Sequence, residues 1–232
     1  MVNVQNIHLY IYKVKGMLAA MSTTVADILE ARAPQQSRGR ERFERILSES
    51  EKLLLKKGLS GFSIPELAER LGYTRTSIYH FFPTPYAILN ELTRRYLVKL
   101  EEHVAAAGQE AAQLPWPQVV YRISEAVSEF HNTHPVGRML ILGATASDES
   151  HKALELTIEH LGRQVERLMK SVNVKLPRNK PNAAALTVEL GTACLRLSYH
   201  LHGEITPEYQ EECGRAMVGY LQNFATPPAT PQ

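Results

Sequence analysis

The sequence predicts an all-α fold of about nine helices, a small three-helix head followed by a larger helical body. Three observations predict it. Apolar residues recur at helical spacing along most of the chain, and no run alternates as a half-buried strand does. Cap residues, first-turn prolines and Gly or Pro breaks punctuate those runs. Two short helices flank a single glycine turn between Ile64 and Phe82, the helix-turn-helix pattern.

Near its start the chain reads HLYIYKVKGMLAAM, an apolar run. Lys13 and Lys15 interrupt the apolar run, so neither a membrane span nor a leader peptide is expected. Residues 1–37 are expected to form a loosely ordered extension, with Met17 and Met21 as alternative starts and a short helix over Thr24–Arg32. Arg40–Lys57 follows as an amphipathic helix whose apolar stripe is Phe43, Ile46, Leu47, Ser50, Leu53 and Leu54. Gly58 to Gly61 ends it.

The next stretch, IPELAERL, carries Ile64, Leu67, Ala68 and Leu71 at i, i+3, i+4 and i+7. Ser63 and Glu66 have the spacing of a capping box, and Pro65 falls where its missing N–H is harmless. Gly72 can take the left-handed conformation that closes the helix. Thr74 is placed to cap a second short helix, with Ile78 and Phe82 on its inner face and Pro83 stopping it. Thr84 and Pro85 then start a long helix to about Ala107, keeping the period through Ile88, Leu92, Tyr96, Leu100 and Val104.

After the Pro115-Trp116-Pro117 break, helices are expected over Gln118–Thr133, Val136–Ala146, Ser150–Val172, Ala183–His202 and Pro207–Phe224. Residues 226–232 read as a disordered tail. The division that results is an extension (1–37), a helix-turn-helix head (38–84), a helical body (85–225) and the tail.

Composition narrows the function classes. Hydrophobic residues make up 44% of the chain, enough for a sizeable core. Net charge is +2, but it is unevenly spread: residues 38–95 carry eleven Lys/Arg against seven Asp/Glu, and residues 96–232 carry twelve against fifteen. A basic head on a mildly acidic body suits a nucleic-acid-binding module with a separate second unit. Two cysteines, Cys194 and Cys213, do not make a disulfide framework and fit a reducing cytoplasm. His131 and His134, or His200 and His202, are poorly spaced for a metal, and no metal or other cofactor is expected. No G-x-S-x-G, phosphate loop or H-E-x-x-H occurs, so an enzyme is not expected.

The outer face of the second short helix presents Arg75, Thr76, Ser77, Tyr79 and His80, without a carboxylate. Phosphates and base edges call for that composition. The segment LGYTRTSIYHFFPTPYAIL, preceded by RFERILSESEKLLLKKG and a Gly-Phe-Ser, resembles the DNA-binding segment of TetR-type bacterial regulators from Arg42 to Leu89. The resemblance implies a DNA-binding head and a ligand-binding, dimerising body. It implies that Arg75, Thr76 and Ser77 read bases and that Tyr79 and His80 touch phosphate, with His80 also within reach of a base. Ser63 is similar to the family's phosphate-binding Ser/Thr, and the Thr84 backbone N–H is a further phosphate donor. Many members carry Lys where this chain has Pro85. Affinity is then either lower or carried by Arg38 and Arg40.

A helix-turn-helix reads DNA best as a two-fold pair. Leu186, Leu190, Leu197 and Leu201 make one apolar stripe on the last two helices, and Met217, Tyr220, Leu221 and Phe224 make another. Small residues, Gly191 and Gly214 among them, would let helices approach there. In the family these two helices form the dimer interface. The middle helices would enclose a mostly apolar site for an unidentified effector. Its candidates are Trp116, Tyr121, His131, Arg138, Met139, Leu142, Thr145, Arg196 and Tyr199. The long helix from Pro85 is expected to link that site to the head. The function implied is a cytoplasmic repressor that binds a palindromic double-stranded operator as a homodimer and is released by a small molecule. A ligand-independent DNA-binding or protein-interaction factor is the alternative, and a solid core without a cavity would favour it.

Overall fold

The computed structural model describes residues 31–32, 37–143, 148–179 and 181–225. All regular structure among them is helical, and no described helix is long and apolar enough to cross a membrane. The chain divides into two compact units, Met1–Glu91 and Leu92–Gln232. The expected helix at Thr24–Arg32 and the expected tail lie outside the described residues, apart from Ala31 and Arg32, which are not helical.

The head contains α1 (Ser37–Lys57), α2 (Ile64–Leu71), α3 (Arg75–Tyr79) and the first turns of α4 (Pro85–Glu110). The buried residues of α1 are Phe43, Ile46, Leu47, Ser50, Leu53 and Leu54, the stripe that the period predicts. Ser50, the polar member, donates its hydroxyl to the Ile46 carbonyl at 2.7 Å, so no polar atom there is left unmatched. Gly72 ends α2 at φ 65°, and the Tyr73 N–H donates back to the Ala68 carbonyl at 2.9 Å. Thr74 caps α3 by accepting from the Ser77 N–H at 3.2 Å. Thr84 caps α4 in the same way, accepting from Ala87 at 3.2 Å.

The capping box expected at Ser63 does not form. Ser63 is the N-cap residue of α2, but its side chain makes no cap hydrogen bond. Glu66 is drawn away: its carboxylate lies 2.6 Å from Lys57 Nζ on α1. A charge-assisted contact between helices wins over the local one. Arg70 and Glu49, 2.7 Å apart, form a second ion pair from α2 to α1. Arg70 and Lys52 beside Glu49 hold its carboxyl below the usual carboxylate range. Before α1, the Arg32 N–H donates to the Phe81 carbonyl at 2.7 Å, tying the end of the expected loose extension to the head.

The body contains the rest of α4, then α5 (Trp116–Thr133), α6 (Pro135–Leu142), α7 (Asp148–Ser171), α8 (Ala183–His202) and α9 (Pro207–Ala225). α6 ends at Leu142, four residues before its expected end, and Gly143 follows extended. Helices α8 and α9 pack on each other, with α7 against α8 and α5 against α9. At Gly214 the Tyr121 ring of α5 lies directly over the Cα, in the space a Cβ would occupy. Gly191 of α8 is similarly close to Cys213 and Met217. Gly191 and Gly214, expected to let helices approach at an interface between copies, are thus used for close packing inside one copy.

The α8–α9 connection is held by side chains distant in sequence. Asn132 at the end of α5 donates to the Ile205 carbonyl at 2.8 Å and accepts from the Ile205 N–H at 2.9 Å. Ser198 donates to the Glu204 carbonyl at 2.9 Å and accepts from the Thr206 N–H at 3.0 Å. These bonds satisfy loop backbone that would otherwise be buried unmatched.

Candidate nucleic-acid interface and body cavity

The short helix α3 is held by its inner residues and displays its outer ones. Ile78 is fully buried, and Phe82 just beyond the helix is fully buried too. The Phe82 ring stacks on Phe43 at 4.6 Å with 26° between planes, and Phe81 meets Phe43 edge-on at 6.0 Å. These contacts fix the end of α3 onto α1. The opposite face carries Arg75, Thr76 and His80, all exposed, with Ser77 half-buried. Tyr79 is 42% exposed, so its ring is not a core aromatic. A fixed backbone with displayed donors is what base and phosphate contacts need.

The other candidates lie around this helix on the same unit. Ser63 and Thr84 are half-buried at the starts of α2 and α4. Arg38 and Arg40 are exposed in the first turn of α1. Tyr73 was missed from sequence. Its ring lies under two guanidinium groups, Arg42 at 5.3 Å and Arg45 at 5.6 Å. Stacking holds both cations at the turn that leads into α3. The signal was legible: two arginines three apart on one helix face, and a Tyr directly after the Gly72 turn.

In the body, a cavity of about 90 Å³ opens among α4, α5, α6, α7, α8 and α9. That is well above the roughly 10–15 Å³ that one water needs. Leu97, Leu100 and Val104 of α4, Ile123 and Val127 of α5, and Ile158, Leu161 and Val165 of α7 give it apolar walls. Ser124, His131, Thr157, Gln164, Thr192 and Cys213 are its polar members. The Ser124 and Thr192 hydroxyls donate to carbonyls of their own helices, at 3.1 Å and 2.9 Å. Burial pushes the Cys213 thiol up to about 11, so it stays protonated and unreactive.

Of the residues expected to hold an effector, the structure brings His131 and Leu142 to this cavity. Trp116, Tyr121, Arg138, Met139, Arg196 and Tyr199 do not line it. Tyr121 is used against Gly214, as above. Arg138 lies over the Tyr199 ring at 5.5 Å and donates to Asn132 Oδ1 at 3.1 Å and to the His131 carbonyl at 3.3 Å. Thr145 lies outside the described residues. No residue of α4 or α7 was among the expected contacts. Their apolar periods were visible, but period alone does not say whether a stripe faces a filled core or a void.

His131 is the most unusual group in the cavity. It is almost fully buried, and its Nδ1 has no hydrogen-bond partner. Burial pushes its pKa down to about 3, with the nearby Arg138 and His134 adding to the effect. The ring is therefore uncharged at neutral pH.

The face expected to join two copies is only partly available. Leu197 and Leu201 of α8 are 49% and 61% exposed, while Leu186, Leu190, Tyr220 and Phe224 are half-buried. Met217 and Leu221 are buried within the single chain, Met217 with 8% of its surface left exposed. Met217 also lines the cavity. Among the described residues, no three His, Cys, Asp or Glu side chains converge as a metal site.

Comparison with known proteins follows the same two units. Residues 46–92 match the model of bacterial regulatory proteins of the tetR family, and residues 115–221 match a tetracyclin repressor-like C-terminal domain. No curated protein matches the chain. Among solved structures, a TetR-family transcriptional regulator from Streptomyces coelicolor is similar at TM-score 0.61 and 18% identity, covering 80% of this chain and 82% of that one. A transcriptional regulator from Rhodococcus is similar at TM-score 0.60 and 16% identity, covering 80% and 98%. Thermus thermophilus FadR, a TetR-family transcriptional repressor in complex with lauroyl-CoA, is similar at TM-score 0.57 and 16% identity, covering 82% and 99%.

Proposed function

Since the chain belongs to the TetR family of DNA-binding transcriptional regulators, we propose that it is a repressor that binds a palindromic operator as a homodimer and is released by a small molecule in the body cavity. The observation that carries this reading is one chain with both parts: an exposed, carboxylate-free face on α3 and a partly polar cavity in the body. A body with a filled core would have favoured the ligand-independent alternative, and this body is not filled. FadR, a repressor of the same fold, is a precedent for a ligand in such a protein.

In this reading Arg75, Thr76 and Ser77 contact bases. Tyr79, His80, Ser63, Thr84, Arg38 and Arg40 contact phosphate, and the Arg42–Tyr73–Arg45 stack adds cations nearby. Pairing of two copies uses Leu197 and Leu201, with Leu186, Leu190, Tyr220 and Phe224 at the margin. Helix α4 is one uninterrupted helix; its first turns belong to the head, and Leu97, Leu100 and Val104 line the cavity. A ligand that displaces those side chains biases α4, and with it the spacing of the two heads. The ligand acts only through its unequal affinity for the two arrangements.

Kd values on an operator fragment and on scrambled DNA, at one salt concentration, test the head. Arg75→Ala is expected to lose about 1–3 kcal/mol on the operator, and little on scrambled DNA, because a base contact is removed. Tyr79→Phe is expected to weaken both evenly and by less, because a phosphate contact is removed. Equal losses on both DNAs for Arg75→Ala would refute the base-reading role.

A further inference from the structure

We propose that the body cavity takes an uncharged, largely apolar molecule whose hydroxyl pairs with Nδ1 of His131. The inference rests on the effector reading above and names the chemistry of that effector. Four features of the site point to it. The walls are mostly aliphatic, so most of the ligand must be apolar. Among the described residues no Lys, Arg, Asp or Glu lines the cavity, so a charged ligand finds no counter-ion there. His131 does not supply one, since burial keeps its ring neutral. Its Nδ1 nonetheless lacks a partner, and a buried polar atom without one is destabilising until something bonds it.

A hydroxyl is the group that fits. A neutral imidazole nitrogen donates in one tautomer and accepts in the other. A hydroxyl can answer either, and a carboxylate can only accept. The hydroxyls of Ser124 and Thr192 are committed as donors to their own helices, so toward a ligand they offer acceptor lone pairs. Arg138 is a cation close to His131, whose backbone carbonyl it bonds at 3.3 Å. It is engaged with Asn132, the His131 carbonyl and the Tyr199 ring, outside the cavity. Its buried Nε is the one other buried side-chain atom without a partner among the described residues, so it is where a carboxylate would turn if the cavity admitted one.

The test is a matched pair of probes, 1-octanol and octanoate, titrated into the full chain by calorimetry at neutral pH. The same probes are then added to the protein–operator complex. Octanol is expected to bind at least tenfold more tightly than octanoate. His131→Phe is expected to weaken octanol at least tenfold, and His131→Gln, which keeps a donor and an acceptor, to weaken it less. Should His131→Phe fail to fold, the wild-type pair and His131→Gln decide. Octanoate binding as tightly as octanol overturns the ligand class and makes Arg138 the anchor. Neither probe binding overturns it as well, as does wild-type octanol affinity in a folded His131→Phe. Octanol that binds as expected but leaves the operator complex intact supports the ligand class and removes the release mechanism instead.

Discussion

Phe82→Ala is expected to destabilise the head by about 3–5 kcal/mol and to remove DNA binding with it. The residue is fully buried, and its ring stacks on Phe43 at 4.6 Å. Other core residues of the head are already buried in place. Ile46, Leu47, Ile78 and Ile88 are themselves fully buried or nearly so. The loss is functional as well as structural, because this stack fixes the far end of the five-residue helix α3. So short a helix does not persist on its own propensity. Since whole domains are stable by only about 5–15 kcal/mol, such a loss leaves the head marginal. Urea denaturation followed by circular dichroism measures it, with operator binding measured in parallel. The control is Tyr86→Ala at an exposed ring, expected to change stability by no more than about 0.5 kcal/mol.

Phe130→Ala is expected to cost a similar amount, about 3–5 kcal/mol, in the body. Phe130 is almost fully buried in α5. Its ring stacks on His134 at 4.4 Å and meets His131 edge-on at 5.7 Å. Removing it leaves a void beside His131, whose buried Nδ1 is unmatched. The affinity for a hydroxyl ligand should therefore fall along with stability. Trp116 is the only tryptophan and starts α5, so its fluorescence reports on the body. Phe130→Ala should shift the fluorescence-detected transition strongly to lower urea, whereas Phe82→Ala should shift it much less. Equal shifts would mean that the two units unfold as one.

Legibility from sequence followed the range of the interactions. The head was readable because its boundaries are chemically local. Gly72, Thr74, Thr84 and Pro85 each act on backbone within a few residues, and each does in the structure what its type requires. The capping box failed because Glu66 had a partner nine residues away, Lys57, that the S-x-x-E spacing cannot reveal. In the body the helix order was readable and the use of each face was not. The Gly214 contact pairs it with Tyr121 on another helix, and the Asn132–Ile205 clamp spans 73 residues. Met217 and Leu221 belong to an apolar stripe whose period is equally good for a subunit core and for an interface. In the single chain both are buried among its own helices. The cavity was the least legible feature, since a void is a property of how six helices meet and no residue type encodes it.

If α3 reads a specific two-fold DNA site, the purified protein must select one from a whole genome. Footprinting the purified protein across the DNA of its own host, at one fixed salt concentration, tests it most directly. The account predicts protection of a short palindrome whose half-sites lie about one helical turn, or a multiple of it, apart. It also predicts that Arg75→Ala erases the preference for that site. Diffuse, salt-labile protection with no palindrome would contradict the account, leaving a head that holds phosphate without reading sequence.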